Sequence, residues 1–232
     1  MNDPEIDRLL DRAAHAKPEP DSALLDRVTG AIGSSLSPVR PLAPAWMLSA
    51  ALVLWCAAMA LAGGFILKPH GVQHMDSVQR LAIFPLLGLL ISLGSAVAAS
   101  QMVPGSRRVM APSTLALCAC LLLAAVFGAV FPDHRLERFV PEGLKCLTAG
   151  LAQAIPAAAG MWWILRRGFA VDSLAAGFAQ GALAGLAGVA MLELHCPNFE
   201  LLHILVWHIA VLPVAGLLGM AVARWRSARQ SA

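Results

Sequence analysis

Apolar residues fall in six long runs, near 45–67, 81–103, 110–131, 144–165, 173–194 and 201–223, with short polar breaks between them. Each is about twenty residues long, the length an α-helix needs to cross roughly 30 Å of hydrocarbon. In water, runs of this length would drive aggregation. The pattern predicts an all-α fold: a polytopic membrane protein built as a bundle of six transmembrane helices.

The first 44 residues follow another rhythm and predict a soluble helical arm. Asp3-Pro4-Glu5 is a helix start, with a capping Asp and Pro at the first position. Ile6, Leu9, Leu10, Ala13 and Ala14 then recur at helical spacing. Lys17-Pro18-Glu19-Pro20 breaks this helix, and Asp21 caps a second, whose stripe is Leu24, Leu25, Val28 and Ile32. Gly33-Ser34-Ser35 with Pro38, Pro41 and Pro44 makes a linker. The expected division is an arm over 1–44, a membrane domain over 45–225 and a tail over 226–232. Each arm helix has an apolar face and nothing of its own to bury it against. Two readings follow: solvated or interfacial helices, or helices that dock into a partner's groove. Asp3, Glu5, Asp7, Asp11, Glu19, Asp21 and Asp26 argue against a basic, lipid-bound helix.

Composition sharpens the membrane reading. Apolar residues are 58% and charged residues 13%, both far from soluble averages. The chain has six Trp and no Tyr, and Trp46, Trp207 and Trp225 fall near run ends, where an indole sits at headgroup level. The formal charge of +3 is scattered along membrane borders rather than gathered in a patch, so direct nucleic-acid binding is not expected. The first forty residues are charged and carry no apolar h-region, so no cleavable signal peptide is expected. With the N-terminus inside, twelve Lys and Arg lie on the inner side, and only Lys68, Arg80, Arg135, Arg138 and Lys145 lie outside. Every inner loop carries a basic pair, which predicts cytoplasmic N- and C-termini.

Two features speak to packing. Gly177, Gly181 and Gly185, with Ala184 and Gly188 close to the same face, predict a tight helix contact in the fifth run. Pro85, Pro156 and Pro213 lie inside runs, where each frees a backbone carbonyl.

Candidate chemistry concentrates at Glu193-Leu194-His195-Cys196-Pro197-Asn198-Phe199-Glu200 and the residues to His208. Cys56, Cys118 and Cys120 lie within hydrocarbon runs and read as small packing residues. Cys146 starts the fourth run and Cys196 ends the fifth, so a rise of about 1.5 Å per residue carries both to the same outer interface. They are either a disulfide or redox-active pair, or two ordinary interfacial thiols. His70, His74, His134, His195 and His203 are outer, His208 is deeper, and His15 is inner. An outer His/Cys group suits a soft metal ion, but on an α-helix His203 and His208, five apart, point about 140° away from each other. Gly71 and Pro69 weaken the better spacing of His70 and His74. Exposed imidazoles, and neither a metal centre nor a cofactor, are expected. Glu193, at the hydrocarbon edge, is expected to turn away from lipid and bond a neighbouring helix or His208. Nucleophile-elbow, Walker and zinc-protease motifs are missing, so no catalytic residues are assigned and the chain is not expected to be an enzyme.

Three segments resemble a known family. Ser37-Pro38-Val39-Arg40-Pro41-Leu42-Ala43-Pro44 resembles the P-V-R-x-L-x-P segment of NrsF-type membrane anti-sigma factors. Gly143-Leu144-Lys145-Cys146-Leu147, Ala154-Ile155-Pro156-Ala157 and Trp163-Ile164-Leu165-Arg166-Arg167-Gly168 resemble that family's fourth span. Leu194-His195-Cys196-Pro197 followed by Val206-Trp207 resembles its fifth-to-sixth junction and is the most specific part. Here His208 stands where the family shows an aromatic, and the arm is longer.

The resemblance implies a six-span protein of the bacterial inner membrane. Its cytoplasmic arm would hold an extracytoplasmic-function (ECF) sigma factor inactive. Cys146 and Cys196 would be the sensor for oxidising or heavy-metal stress, with Glu193, His195, His203 and His208 as neighbours. Leu9, Leu10, Leu24, Leu25, Val28, Ile32 and Arg40 would bind the partner, and membrane lipid would surround the bundle. The competing class is a small transporter or channel for a metal or other solute. A third is a membrane enzyme of quinone, disulfide or lipid chemistry. Neither needs the arm.

Overall fold

The computed structural model describes residues 7–8, 11–12, 15, 21–35, 42–103, 105–107, 110–133 and 139–230. Leu9, Leu10 and Arg40, the Lys17–Pro20 break, Arg108 and the His134–Arg138 stretch lie outside the described residues. Two compact units emerge, Met1–Pro41 and Leu42–Ala232.

In the first unit, Asp7, Arg8, Asp11, Arg12 and His15 are helical. Helix α1 covers Ser22–Ser35. Asp21 starts it as anticipated: its carboxylate accepts from the Ala23 amide at 3.0 Å, and its carbonyl accepts from Leu25 at 2.9 Å. Leu24, Leu25, Val28 and Ile32 are 52, 48, 45 and 53% exposed, so the apolar stripe is uncovered within its own unit.

The elements described in the second unit are helices: α2 Ala45–Ile66, α3 His70–His74, α4 Ser77–Ser100, α5 Pro112–Val130, α6 Phe139–Leu165, α7 Ser173–His195, α8 Leu201–His203 and α9 Ile209–Gln230. Between α8 and α9, Ile204–His208 forms a π-helical turn, so the three run on as one rod. Local chemistry explains several starts. Asp76 and Gln79 form a reciprocal capping box on α4, with bonds of 2.8 and 3.0 Å. Pro112 opens α5, and Asp172 caps α7 by accepting from the Leu174 and Ala175 amides.

Among the described residues five helices are long and apolar enough to cross a membrane: α2, α4, α5, α7 and the rod over Leu201–Arg229. The fourth expected span differs. Its run lies in α6, which has 27 residues, but Gln153, Pro156, Trp162, Trp163 and several Gly lower its apolarity. The outward faces of the other helices fit a bilayer. Leu54, Phe65, Ile66, Leu81, Leu117 and Leu121 are all well exposed and would be intolerable in water.

Helix α7 is the axis. Every residue from Gly181 to Glu193 is buried, which is the pattern of a helix surrounded by others. It packs most extensively on α9, then on α6, α2 and α4. The glycine face makes the α9 contact. A Cβ on Gly177 would come within 2.6 Å of both Ala223 Cβ and Gly219 O, and one on Gly181 would collide with Ala215 O. The backbones therefore meet directly, as the four-residue glycine spacing predicts. Pro85, Pro156 and Pro213 do lie inside α4, α6 and α9.

Candidate functional site

One end of α7 carries the polar corner. Cys146 sits in the second turn of α6, and Cys196 follows the last residue of α7. Their sulfurs are 3.5 Å apart, both as free thiols. The shared depth expected from helix length is thus met by direct contact. Cys196 is 5% exposed. Its hydrogen bond with Cys146, and then burial, push its thiol above the ordinary value.

The loop after Cys196 turns the chain back. Glu200 N donates to Asn198 Oδ1 at 2.9 Å, and Leu201 N donates to Asp133 O at 2.7 Å. Phe199 stacks on Phe131 with centroids 5.6 Å apart. The rod that follows brings in both histidines. His203 Nε2 lies 3.7 Å from Cys196 Sγ, and the His203 and His208 rings meet edge-on with centroids 5.4 Å apart.

This corrects the expectation from spacing. The two imidazoles do not point apart and are not exposed interfacial groups; each is 1% exposed. The α-helical angle does not apply because Ile204–His208 is a π turn, with the Ile209 amide bonded to Ile204 O. Hydrogen bonding from i to i+5 places residues five apart on one face, and π turns occur frequently at functional sites. The clue was in the sequence: two His five apart inside an apolar run fit one face only in π register.

Glu193 behaves as anticipated. His208 Nδ1 donates to its Oε1 at 2.7 Å, with both side chains 1% exposed. A carboxylate only accepts, so Nδ1 carries a hydrogen. The buried Nε2 of the same ring has no hydrogen-bond partner among the described residues. The donor atoms of Cys146, Cys196, His203 and His208 all lie within 4.8 Å of one another.

The other candidates stand apart. His195 Nδ1 bonds Lys68 O at 2.9 Å and so ties the end of α7 to the α2–α3 turn. His70 and His74 are exposed on α3, away from the cluster. Helix α3 covers the corner through Gly71, where a Cβ would come within 2.7 Å of Cys196 O and 2.8 Å of Glu193 O. Cys56 is fully buried in the α2 core, as a packing residue should be.

Fold and site together define a helical protein of membrane-crossing apolarity with a buried thiol–imidazole cluster at one end. The family model "Negative regulator of sigma F", NrsF, matches residues 33–226, most of the chain. The chain belongs to this family, whose description names negative regulation of a sigma factor and so a sigma factor as partner. The match begins at residue 33, so most of α1 lies outside it. No curated protein matches, and no solved structure matches.

Proposed function

We propose that this chain is an anti-sigma factor of the bacterial inner membrane, not an enzyme, that holds an ECF-type sigma factor on its cytoplasmic arm. The corner at Cys146 and Cys196 is its sensor for oxidative or heavy-metal stress. Helix α6 serves as a sixth span, because 27 residues at about 1.5 Å each exceed the hydrocarbon thickness. The excess of Lys and Arg at the opposite end of the spans supports cytoplasmic termini.

The observation that carries the reading is the 3.5 Å approach of the two thiols. Oxidation joins them: each sulfur loses its proton, two electrons pass to the oxidant, and one S–S bond of about 2.05 Å forms. The sulfurs close by more than an ångström, which pulls the start of α6 against the end of α7. Since α7 contacts α2, α4, α6 and α9, that shift is felt across the bundle. To drive the partner from mostly held to mostly released, the two bundle states must differ in partner affinity by about 5.5 kcal/mol. The uncovered stripe Leu24, Leu25, Val28 and Ile32 supplies the apolar face a sigma-factor groove would take.

The test uses full-length protein in native membranes. The wild-type chain is expected to retain a sigma factor and release it after a thiol oxidant such as diamide. The Cys146→Ser/Cys196→Ser variant is expected to retain the partner and fail to release it. Release from the double variant equal to wild type would overturn the sensor reading. Retention of no sigma factor by either protein would overturn the ECF assignment.

A further inference from the structure

We infer that Cys146, Cys196, His203 and His208 form a tetrahedral Cys2His2 site for one d10 cation of the zinc class, with Glu193 orienting His208.

Three observations converge. The first is the donor set: two thiols and two imidazoles from α6, the end of α7 and the α8–π rod, within 4.8 Å of one another. Softer thiolate donors with imidazole select zinc-like ions over magnesium or calcium. The second is the spacing. Metal–sulfur bonds of about 2.3 Å and metal–nitrogen bonds of about 2.0–2.1 Å make tetrahedral edges of roughly 3.8 Å between sulfurs and roughly 3.6 Å between sulfur and nitrogen. The two edges at Cys196 are 3.5 Å to Cys146 and 3.7 Å to His203 Nε2.

The third is the support. His208 is 1% exposed, its Nδ1–H is engaged by Glu193 at 2.7 Å, and its Nε2 faces the cluster unpartnered among the described residues. A carboxylate holding the far nitrogen of a ligating imidazole is the usual second layer of a histidine–metal site. The π turn is part of the same design, because α-helical register would separate His203 from His208.

Binding balances simply. The divalent ion replaces the two thiol protons and the Nε2 proton of the His208–Glu193 ion pair; these leave to solvent, and both imidazoles bind through neutral nitrogens. Oxidation to a disulfide takes two electrons from the same two sulfurs and leaves no thiolate ligand, so the ion and the disulfide are alternative occupants of one corner. As an identification of what the sensor corner takes, this inference rests on the sensor reading. The binding can still be measured with no sigma factor present, so either can fail alone.

The experiment uses full-length protein without a polyhistidine tag, reduced, stripped with chelator and held in nanodiscs. Cobalt(II) is the probe, because thiolate-ligated tetrahedral cobalt has intense visible d–d bands. The expected result is one cobalt per chain, displaced stoichiometrically by zinc(II). Zinc should also block alkylation of Cys146 and Cys196, read by mass spectrometry, in the wild-type protein, so this arm needs no variant. His208→Gln and Cys196→Ser should lose the bands. Glu193→Gln should keep them while binding about 10–100-fold more weakly. Absence of tetrahedral bands, or alkylation of both thiols unchanged by zinc, would overturn the site. So would equal cobalt binding by a folded Cys146→Ser/Cys196→Ser variant.

Discussion

The two halves of α7 press against the same rod and do so by opposite means. In the half around Gly177, Gly181 and Gly185, side chains are removed until backbone meets backbone on α9. Both helices keep α register there, and the contact is apolar and direct. In the half ending at Glu193 and Cys196, polar side chains fill the gap, and the rod leaves α register for a π turn to present them. A bilayer makes each solution costly to disturb for a different reason. The first has no room to give, and the second buries charged and polar groups that need each other.

The largest effect is expected at the polar half. Removing one partner from a buried ion pair costs about 3–5 kcal/mol, since the other is left desolvated and unpaired. Glu193→Leu strands His208 in this way. The prediction is a loss of that order in resistance to denaturant in micelles, with Glu193→Gln, which retains an acceptor for His208 Nδ1, losing clearly less. Equal losses would mean that volume rather than pairing holds the corner.

The glycine half should lose somewhat less. A side chain at Gly181 would collide with Ala215 O, and backbone cannot swing aside as a flexible side chain can. Gly181→Leu is expected to cost about 3 kcal/mol, the upper end of ordinary overpacking. Gly128→Leu on α5 makes the control, because nothing lies within 4 Å of its Cβ position. Its effect should stay within about 0.5 kcal/mol. If both substitutions score alike in thermal unfolding, close approach does not organise the α7–α9 contact.

The comparison also shows what could be read from residues alone. The glycine contact was legible because four-residue spacing means one helix face only while α register holds, and it holds through Gly185. The meeting of Cys146 and Cys196 was legible in part, since helix rise fixes depth. The azimuth of His203 and His208 was not. An angular argument of 100° per residue fails across five π-helical residues, and the failure hid a cluster of four donors. The same dependence on averages affects α6. Its length reads as a span, but Gln153, Trp162 and Trp163 lower its apolarity. Gln153 Nε2 bonds Met59 O at 2.7 Å across the helix interface.

The smallest expected effect separates the halves most finely. Gly71 touches the corner as Gly181 touches α9, through backbone: a Cβ there would stand 2.7 Å from Cys196 O. The neighbours differ in what they can do. Gly181 sits in a helix buried on all sides, while Gly71 belongs to α3, a five-residue helix whose His70 and His74 are exposed. A short surface helix can lift by the roughly half to one ångström that a methyl group demands for ordinary contact. Gly71→Ala should therefore cost only about 1 kcal/mol, the low end of overpacking. Lifting α3 uncovers Cys196, which is 5% exposed in the native corner. The expected signature is faster alkylation of Cys196 by a small maleimide, with Cys56 unchanged and the unfolding midpoint barely moved. A large loss of stability without faster alkylation would show that α3 is a fixed part of the packed core, and that both ends of α7 are locked alike.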